Sequence, residues 1–275
     1  MKILGIDFTS TPTKRKPITC VTAELTERSL EVSSLSGWTD LSQFEEGLAQ
    51  SGPWVAGIDL PFGQSRKFVK NKGWPRSWKG YVQHVSTMTR QEFRTELDDY
   101  RQNRMVGDKE HRRACDIQVG AISPQKLYGV PVALMFFEGA PRIQRSGATI
   151  PGLKDGDPNR VFIEAYPRLL ARTLIGRHSY KSDTRSKQTT GQLARRQQIL
   201  RYLTSDQVYS SQHQVRVTAP QELAKDPSGD ALDALLCAVQ ASWSWQMRHA
   251  NYGLPSDYDD LEGWIIDPRT QDSTV

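Results

Sequence analysis

Four aspartates stand out for the company they keep. Asp7 follows Ile3-Leu4-Gly5-Ile6, Asp59 follows Val55-Ala56-Gly57-Ile58, and Asp230 and Asp233 open a run of Ala, Leu, Cys and Val. Glu164, after Val161-Phe162-Ile163, is a further candidate acid. Desolvating an ionised carboxylate is costly, so acids in apolar surroundings need partners. One such residue is satisfied by capping a helix or by accepting bonds from a turn. Several arriving from separate segments repel one another unless a cation joins them. Mg²⁺ or Mn²⁺ suits that role, held by a few carboxylates together with substrate phosphates and water. Two such ions about 4 Å apart support phosphodiester hydrolysis without a protein nucleophile.

The elements that must position these acids follow from the pattern of apolar residues. Lys2 to Phe8, Ile18 to Leu25 and Leu30 to Leu35 read as three strands joined by short turns, an antiparallel meander. Asp40 to Gln50 carries Leu41, Phe44 and Leu48 at helical spacing and ends at Gly52-Pro53. Trp54 to Asp59 is a fourth strand, and the helix before it implies a crossover that makes the sheet mixed. Val161 to Ala165 is a fifth strand, after which Tyr166-Pro167 starts a helix. Thr190 to Leu203 is another helix, and 204–227 reads as loop with a short strand at Gln214 to Thr218. The strongest helix runs from Asp230 to about Arg248, with Pro227-Ser228-Gly229 as its start signal. Asp7 and Asp59 thus end their strands, and Asp230 and Asp233, three apart, share one helix face. The first turn of a helix also favours negative charge on its own account.

The expected architecture is one α/β domain spanning 1–275: a mixed five-stranded sheet flanked by helices, interrupted by an insertion at about 62–160. Within that insertion, Thr89 to Asn103 reads as a charged helix.

Charge is distributed unevenly along this chain. The net charge is +5, but 62–113 carries a local +7, 141–201 a local +9, and the tail 251–275 a local −5. Basic segments are either solvated faces or surfaces for polyanions, since Lys and Arg that replace condensed counterions supply most non-specific nucleic-acid affinity. Candidate nucleic-acid contacts are Lys14, Arg15, Lys16, Arg112 and Arg113, together with Arg76, Trp78 and Lys79 of the stretch Trp74-Pro75-Arg76-Ser77-Trp78-Lys79. That stretch interleaves aromatics with cations as single-strand stacking surfaces do, although indoles also fill cores. Arg112, Arg113 and Asp116 fit either a phosphate clamp or a surface ion pair. DNA and RNA are equally compatible partners.

Other chemistries find little footing. The cysteines Cys20, Cys115 and Cys237 form no C-x-x-C pair, and the histidines form no H-E-x-x-H. No nucleophilic triad can be argued from spacing, and a Walker A sequence is absent. The longest apolar run, Val130 to Phe137, is far too short to span a bilayer. The expectation is a soluble, cytoplasmic protein with no membrane partner.

The order of meander, crossover helix, fourth strand, fifth strand and C-terminal helix resembles the ribonuclease H-like fold. The Asp230-Ala231-Leu232-Asp233-Ala234 spacing is closer to its RuvC-like resolvase branch. More specifically, the chain resembles the domain of unknown function 429 family of expected nucleases. The matching stretches are Gly5-Ile6-Asp7-Phe8-Thr9-Ser10, Gly57-Ile58-Asp59-Leu60-Pro61, Glu164-Ala165-Tyr166-Pro167, Asp230-Ala231-Leu232-Asp233-Ala234 and Glu262-Gly263-Trp264-Ile265-Ile266-Asp267-Pro268. The resemblance implies a metal-dependent nuclease with Asp7, Asp59, Asp230 and Asp233 as catalytic metal ligands, Asp7 bridging two Mg²⁺ or Mn²⁺ ions, Asp59 and Asp233 next, and Asp230 completing the second site. Glu164 has no settled place in the resolvase pattern; it is an outer acid or it orders the Tyr166-Pro167 turn. Two alternatives remain. Gly5 to Ser10 also resembles the first phosphate-binding turn of the actin, Hsp70 and sugar-kinase superfamily, which implies ATP-dependent phosphotransfer, although those proteins use two copies of the fold. The other alternative is a non-catalytic nucleic-acid-binding module whose acidic centre is vestigial.

Overall fold

The computed structural model describes residues 1–27, 29–205 and 216–268. Strand β1 (Lys2–Asp7) is apolar on both sides and therefore central. It pairs antiparallel with β2 (Ile18–Leu25), which pairs antiparallel with β3 (Ser29–Trp38), giving the expected meander. Helix α1 (Leu41–Leu48), capped by the Asp40 side chain, crosses over to β4 (Trp54–Asp59), which lies parallel to β1 on its other edge.

The result is a mixed α/β fold whose sheet has seven strands, in the order β5-β6-β4-β1-β2-β3-β7. The expected count of five is corrected by two edge strands, β5 (Ala148–Thr149) and β7 (Arg216–Thr218). At two and three residues they are too short to show any alternation, and their neighbours β6 and β3 define them. β6 (Asp157–Glu164) starts earlier than the Val161 expected, because Asp157 to Arg160 carry no apolar pattern; Asp157 pairs with β5 and Arg160 with β4. Residues 206–215, including Gln214 of the expected strand, and 269–275 of the acidic tail lie outside the described residues.

The segment expected as an insertion folds into α2 (Arg66–Lys72), α3 (Trp78–Ser86), α4 (Arg90–Gln102), α5 (Ala114–Val119) and α6 (Val132–Arg145). A reciprocal Thr89–Glu92 capping box starts α4. Phe68, Tyr81, Phe93 and Phe136 of these helices join Leu4, Ile6, Ala56 and Ile58 of β1 and β4 in one apolar cluster. The segment therefore covers one face of the sheet and shares its core.

The other face carries α7 (Pro167–Ile175), α8 (Thr190–Thr204) and α9 (Asp230–Gln246). Alternation along a strand puts Ile3, Gly5 and Asp7 on one side of β1, and Val55, Gly57 and Asp59 on the same side of β4. Ile3 and Val55 pack there with Ala234, Leu235 and Ala238 of α9. Gly5 and Gly57 are register partners, and they let the helix backbone settle directly on the sheet. A methyl group on Gly5 would overlap the Ala234 carbonyl oxygen and lie 2.7 Å from Ala238 Cβ. One on Gly57 would overlap the Cys237 carbonyl oxygen. These are backbone atoms of a rigid helix, which rotamer changes do not move. Among the described residues, no helix is long and apolar enough to cross a membrane.

The close seating predicts a measurable asymmetry among glycines. Gly5→Ala should destabilise the protein by about 3 kcal/mol through overpacking. Gly191→Ala, at an exposed helical position whose added Cβ would have its nearest neighbour at 3.8 Å, should be neutral or slightly stabilising. Urea titration of both variants checks this, and equal stabilities would refute the close contact.

Candidate acidic active site

The strand register places Asp7 directly beside Asp59, at the ends of two parallel strands whose axes are about 4.8 Å apart. Both side chains point towards α9. The first turn of that helix supplies Asp230 and Asp233, both buried, with Asp233 only 1% exposed. All four expected acids thus lie on the three elements that the glycine contact holds together, with Asp230 and Asp233 both in the first turn of α9.

Gly229 sets where α9 begins. Its φ of 77° is left-handed, and a side chain there would strike Lys181, whose Cβ would lie 2.8 Å away. Asp226 anchors the same turn by accepting hydrogen bonds from Ser228 N at 3.0 Å and Ala231 N at 3.2 Å.

Two lysines supply the internal counter-charge. Lys181 Nζ donates to Asp233 Oδ2, and Tyr180 Oη donates to Asp233 Oδ1 at 2.7 Å. Lys16 Nζ donates to Asp230 Oδ1 at 2.7 Å and to Asp183 Oδ1 at 2.6 Å. Lys16, a candidate nucleic-acid contact by sequence, is thus engaged inside the protein. Although burial acts to lower the pKa of Lys181, Asp233 and Asp7 hold it well above the usual lysine range. For the carboxylates the balance runs the other way. Burial, reinforced by Asp233, Asp230 and Asp59 against the opposing Lys181, raises Asp7 well above the usual range. Burial and Asp233 push Asp59 up to about 7. Asp233 is also raised, chiefly by burial, with Lys181 opposing. The acidic centre is short of positive charge.

Among the described residues, no three His, Cys, Asp or Glu side chains converge as they stand in a geometry that could hold a metal ion. The donor chemistry nevertheless fits a hard divalent cation: the oxygens are carboxylate, crowded and under-neutralised. Lys181 occupies the Asp233 carboxylate, so a cation bound there would have to compete with the ammonium group for one place.

Glu164 does something else. Its Oε1 accepts from Arg113 Nη2 at 2.5 Å, and its Oε2 accepts from Arg113 Nη1 at 2.9 Å and from Phe62 N at 3.0 Å. Arg113, 1% exposed, also donates from Nη2 to Asp116 Oδ1 at 2.9 Å and from Nη1 to the Glu262 carbonyl at 3.2 Å. The Arg113–Asp116 pair is thus buried, neither a phosphate clamp nor a surface pair. Glu164 accordingly ties the end of β6 to α5 and to the C-terminal segment, and both its oxygens are engaged. That segment runs on beside β6: Ile266 N donates to the Glu164 carbonyl at 3.1 Å, and Gln240 of α9 joins Tyr166 N to the Ile266 carbonyl.

Trp78 is 2% exposed and donates from Nε1 to the Phe62 carbonyl at 2.7 Å, so it is a core residue and no stacking surface. Lys14, Arg15, Arg76, Lys79 and Arg112 are exposed.

A cleft of about 400 Å³ opens on the centre, lined by Asp59, Asp233, Tyr180 and Lys181 and also by Arg168, Arg172 and Arg177. Sequence reading missed this basic lining and Lys181. The only signal was the local excess of Lys and Arg over 141–201.

The raised Asp59 pKa fixes the sign of a pH effect. A carboxyl group that binds its proton more tightly when folded stabilises the protein at low pH. That contribution is lost as pH rises from about 4 through about 7. In EDTA, Asp59→Asn should therefore melt higher than the wild type at pH 8 and close to it at pH 4. Thermal melts across this range decide the matter, and no gain at pH 8 would contradict the assigned repulsion.

The comparisons with known proteins bear on family alone. No curated protein and no solved structure matches the chain. The profile of one family, described as protein of unknown function DUF429, matches residues 5–252, which includes Gly5 to Asp7 of β1 and all of β4 and α9. The chain belongs to the DUF429 family.

Proposed function

We propose that this protein is a ribonuclease H-like, divalent-metal-dependent phosphodiesterase that hydrolyses a nucleic-acid backbone. One observation carries the reading: Asp7 and Asp59 are register partners at the ends of adjacent parallel strands and face Asp233 on a helix seated on those strands. The strand order β3-β2-β1-β4-β6, with only β2 antiparallel to its neighbours, is consistent with the same superfamily. Mg²⁺ or Mn²⁺, when bound, would supply Lewis acidity at phosphorus and a nucleophile at neutral pH.

The chain's own groups have separate parts in this reading. Asp7, Asp59 and Asp233 would hold the cation, with Asp230 beside them. Lys181 would release Asp233 and turn towards the substrate phosphate, where its charge again has a partner. Tyr180, hydrogen-bonded to the other Asp233 oxygen, keeps that carboxylate oriented while Lys181 moves. The Arg113–Glu164 pair holds the floor of the cleft rigid.

The ATP-phosphotransfer alternative rests on the β1 turn alone, and the described residues contain one sheet of this kind.

Asp7→Asn should lower Mg²⁺- or Mn²⁺-dependent cleavage of single- and double-stranded DNA and RNA oligonucleotides roughly 100-fold or more. Circular dichroism should show it folded. Undiminished cleavage by the variant, or no cleavage of any substrate by the wild type with either metal, would overturn the proposal.

A further inference from the structure

The cleft is chemically two-sided. Arg168 and Arg172 lie four residues apart on α7 and therefore share a face, and Arg177 follows just past the helix end at Gly176. Among the described residues none of these three arginines makes a salt bridge. Other arginines are matched with acids: Arg66 with Asp259, Arg142 with Glu138, Arg160 with Asp157. A second part of the lining is apolar. Ile122 and Val130 are 44% and 54% exposed, and Val132 and Met135 continue the surface inwards. Arg172 Nη1 donates to the Val119 and Gly120 carbonyls at 3.5 and 3.4 Å, which leaves its charge without an acid. Exposed branched apolar side chains beside three cations that lack an acidic partner suit a ligand that has an anionic and a flat apolar part.

We infer that this cleft is a subsite for one unpaired nucleotide of a single strand, with phosphate on Arg168, Arg172 and Arg177 and the base against Ile122 and Val130. The inference rests on the hydrolytic reading for its choice of a strand over a free nucleotide. Its volume, about 400 Å³, is that of a pocket for one small molecule. A base within a duplex has both faces stacked and its edge paired, so it reaches such a wall only after leaving the stack, at a cost of a few kcal/mol. A single-stranded nucleotide has no such cost. Contact with a base face is tolerant of sequence, because every base has one. The half-buried Tyr166 ring also lines the cleft and adds an aromatic surface.

Fluorescence anisotropy in EDTA tests the subsite without any divalent ion. The probes are a fluorescein-labelled oligothymidylate and a fluorescein-labelled blunt DNA hairpin whose loop is an ethylene glycol linker without nucleotides, with unlabelled AMP as competitor. The oligothymidylate should bind about tenfold or more tightly than the hairpin. Val130→Glu and Arg168→Glu, both changes of exposed side chains, should each weaken it about tenfold. AMP should compete only at much higher concentration than unlabelled oligothymidylate. Equal binding of the hairpin, or unchanged affinity in both variants, would overturn the subsite. Competition by AMP as effective as by the strand would overturn the assignment to a strand. Either failure leaves Asp7-dependent cleavage untouched, and absence of cleavage with metal leaves this binding pattern standing.

Discussion

Everything at the acidic centre depends on α9 lying flat against β1 and β4, and that depends on two side chains being absent. Gly5 and Gly57 stand side by side in the sheet, and helix backbone occupies the space where their Cβ atoms would be. Small residues on the helix, Ala234, Ala238 and Ala241, complete the seam. Strand alternation then carries Asp7 and Asp59 to the same face two residues further on, under the first turn of the helix. Four carboxylates from three elements are brought together with, among the described residues, only Lys181 and Lys16 as close counter-charges. Burial and mutual repulsion raise the proton affinity of Asp7 and Asp59, so the protein holds an unrelieved electrostatic cost at this place. A site that is costly when empty and relieved by a cation is what metal-dependent chemistry requires. The same crowding in a structural ion-pair network would call for matched cations, and here they are fewer than the acids.

A second buried charge cluster gives the centre its frame. Arg113 joins Asp116 on α5, Glu164 on β6 and the main chain at Glu262, while Glu262 itself accepts from Arg66 N at 2.6 Å and Ala114 N at 2.8 Å. Three distant stretches of chain are thereby fixed around one guanidinium. Its five donors in a rigid fork explain why arginine rather than lysine occupies the position. Because both acids would be left buried without it, the cluster resists loosening, and the cleft above keeps its shape.

The acids were legible in the sequence because each sits in a strongly patterned element. Asp7 and Asp59 end runs of apolar residues that nothing but buried strands explains, and Asp233 belongs to the most apolar helix of the chain. What was not legible depended on contacts across the fold. Lys181 lies in a polar stretch with no periodicity, and only its reach past Gly229 makes it a partner of Asp233. Trp78 and Arg113 have the composition of a nucleic-acid surface but are buried, Trp78 in the apolar cluster shared with β1 and β4 and Arg113 between Glu164 and the C-terminal segment, which a local pattern cannot reveal. Glu164 looked like a further acid for the same reason as Asp59, an apolar strand before it; the arginine that claims it is some fifty residues away. Of the two strands beyond the five, β7 falls within the short strand read at Gln214 to Thr218 but was not counted into the sheet, and β5 escaped because pairing to a neighbour, rather than its own two residues, creates it.

The central claim is that a divalent cation displaces Lys181 and gathers Asp7, Asp59 and Asp233. A crystal structure of the protein soaked in Mn²⁺, with anomalous difference maps, measures this directly. The account predicts an anomalous peak between these three carboxylates, with Lys181 Nζ moved away from Asp233. Saturating Mn²⁺ with no peak there, and Lys181 still paired to Asp233, would contradict it.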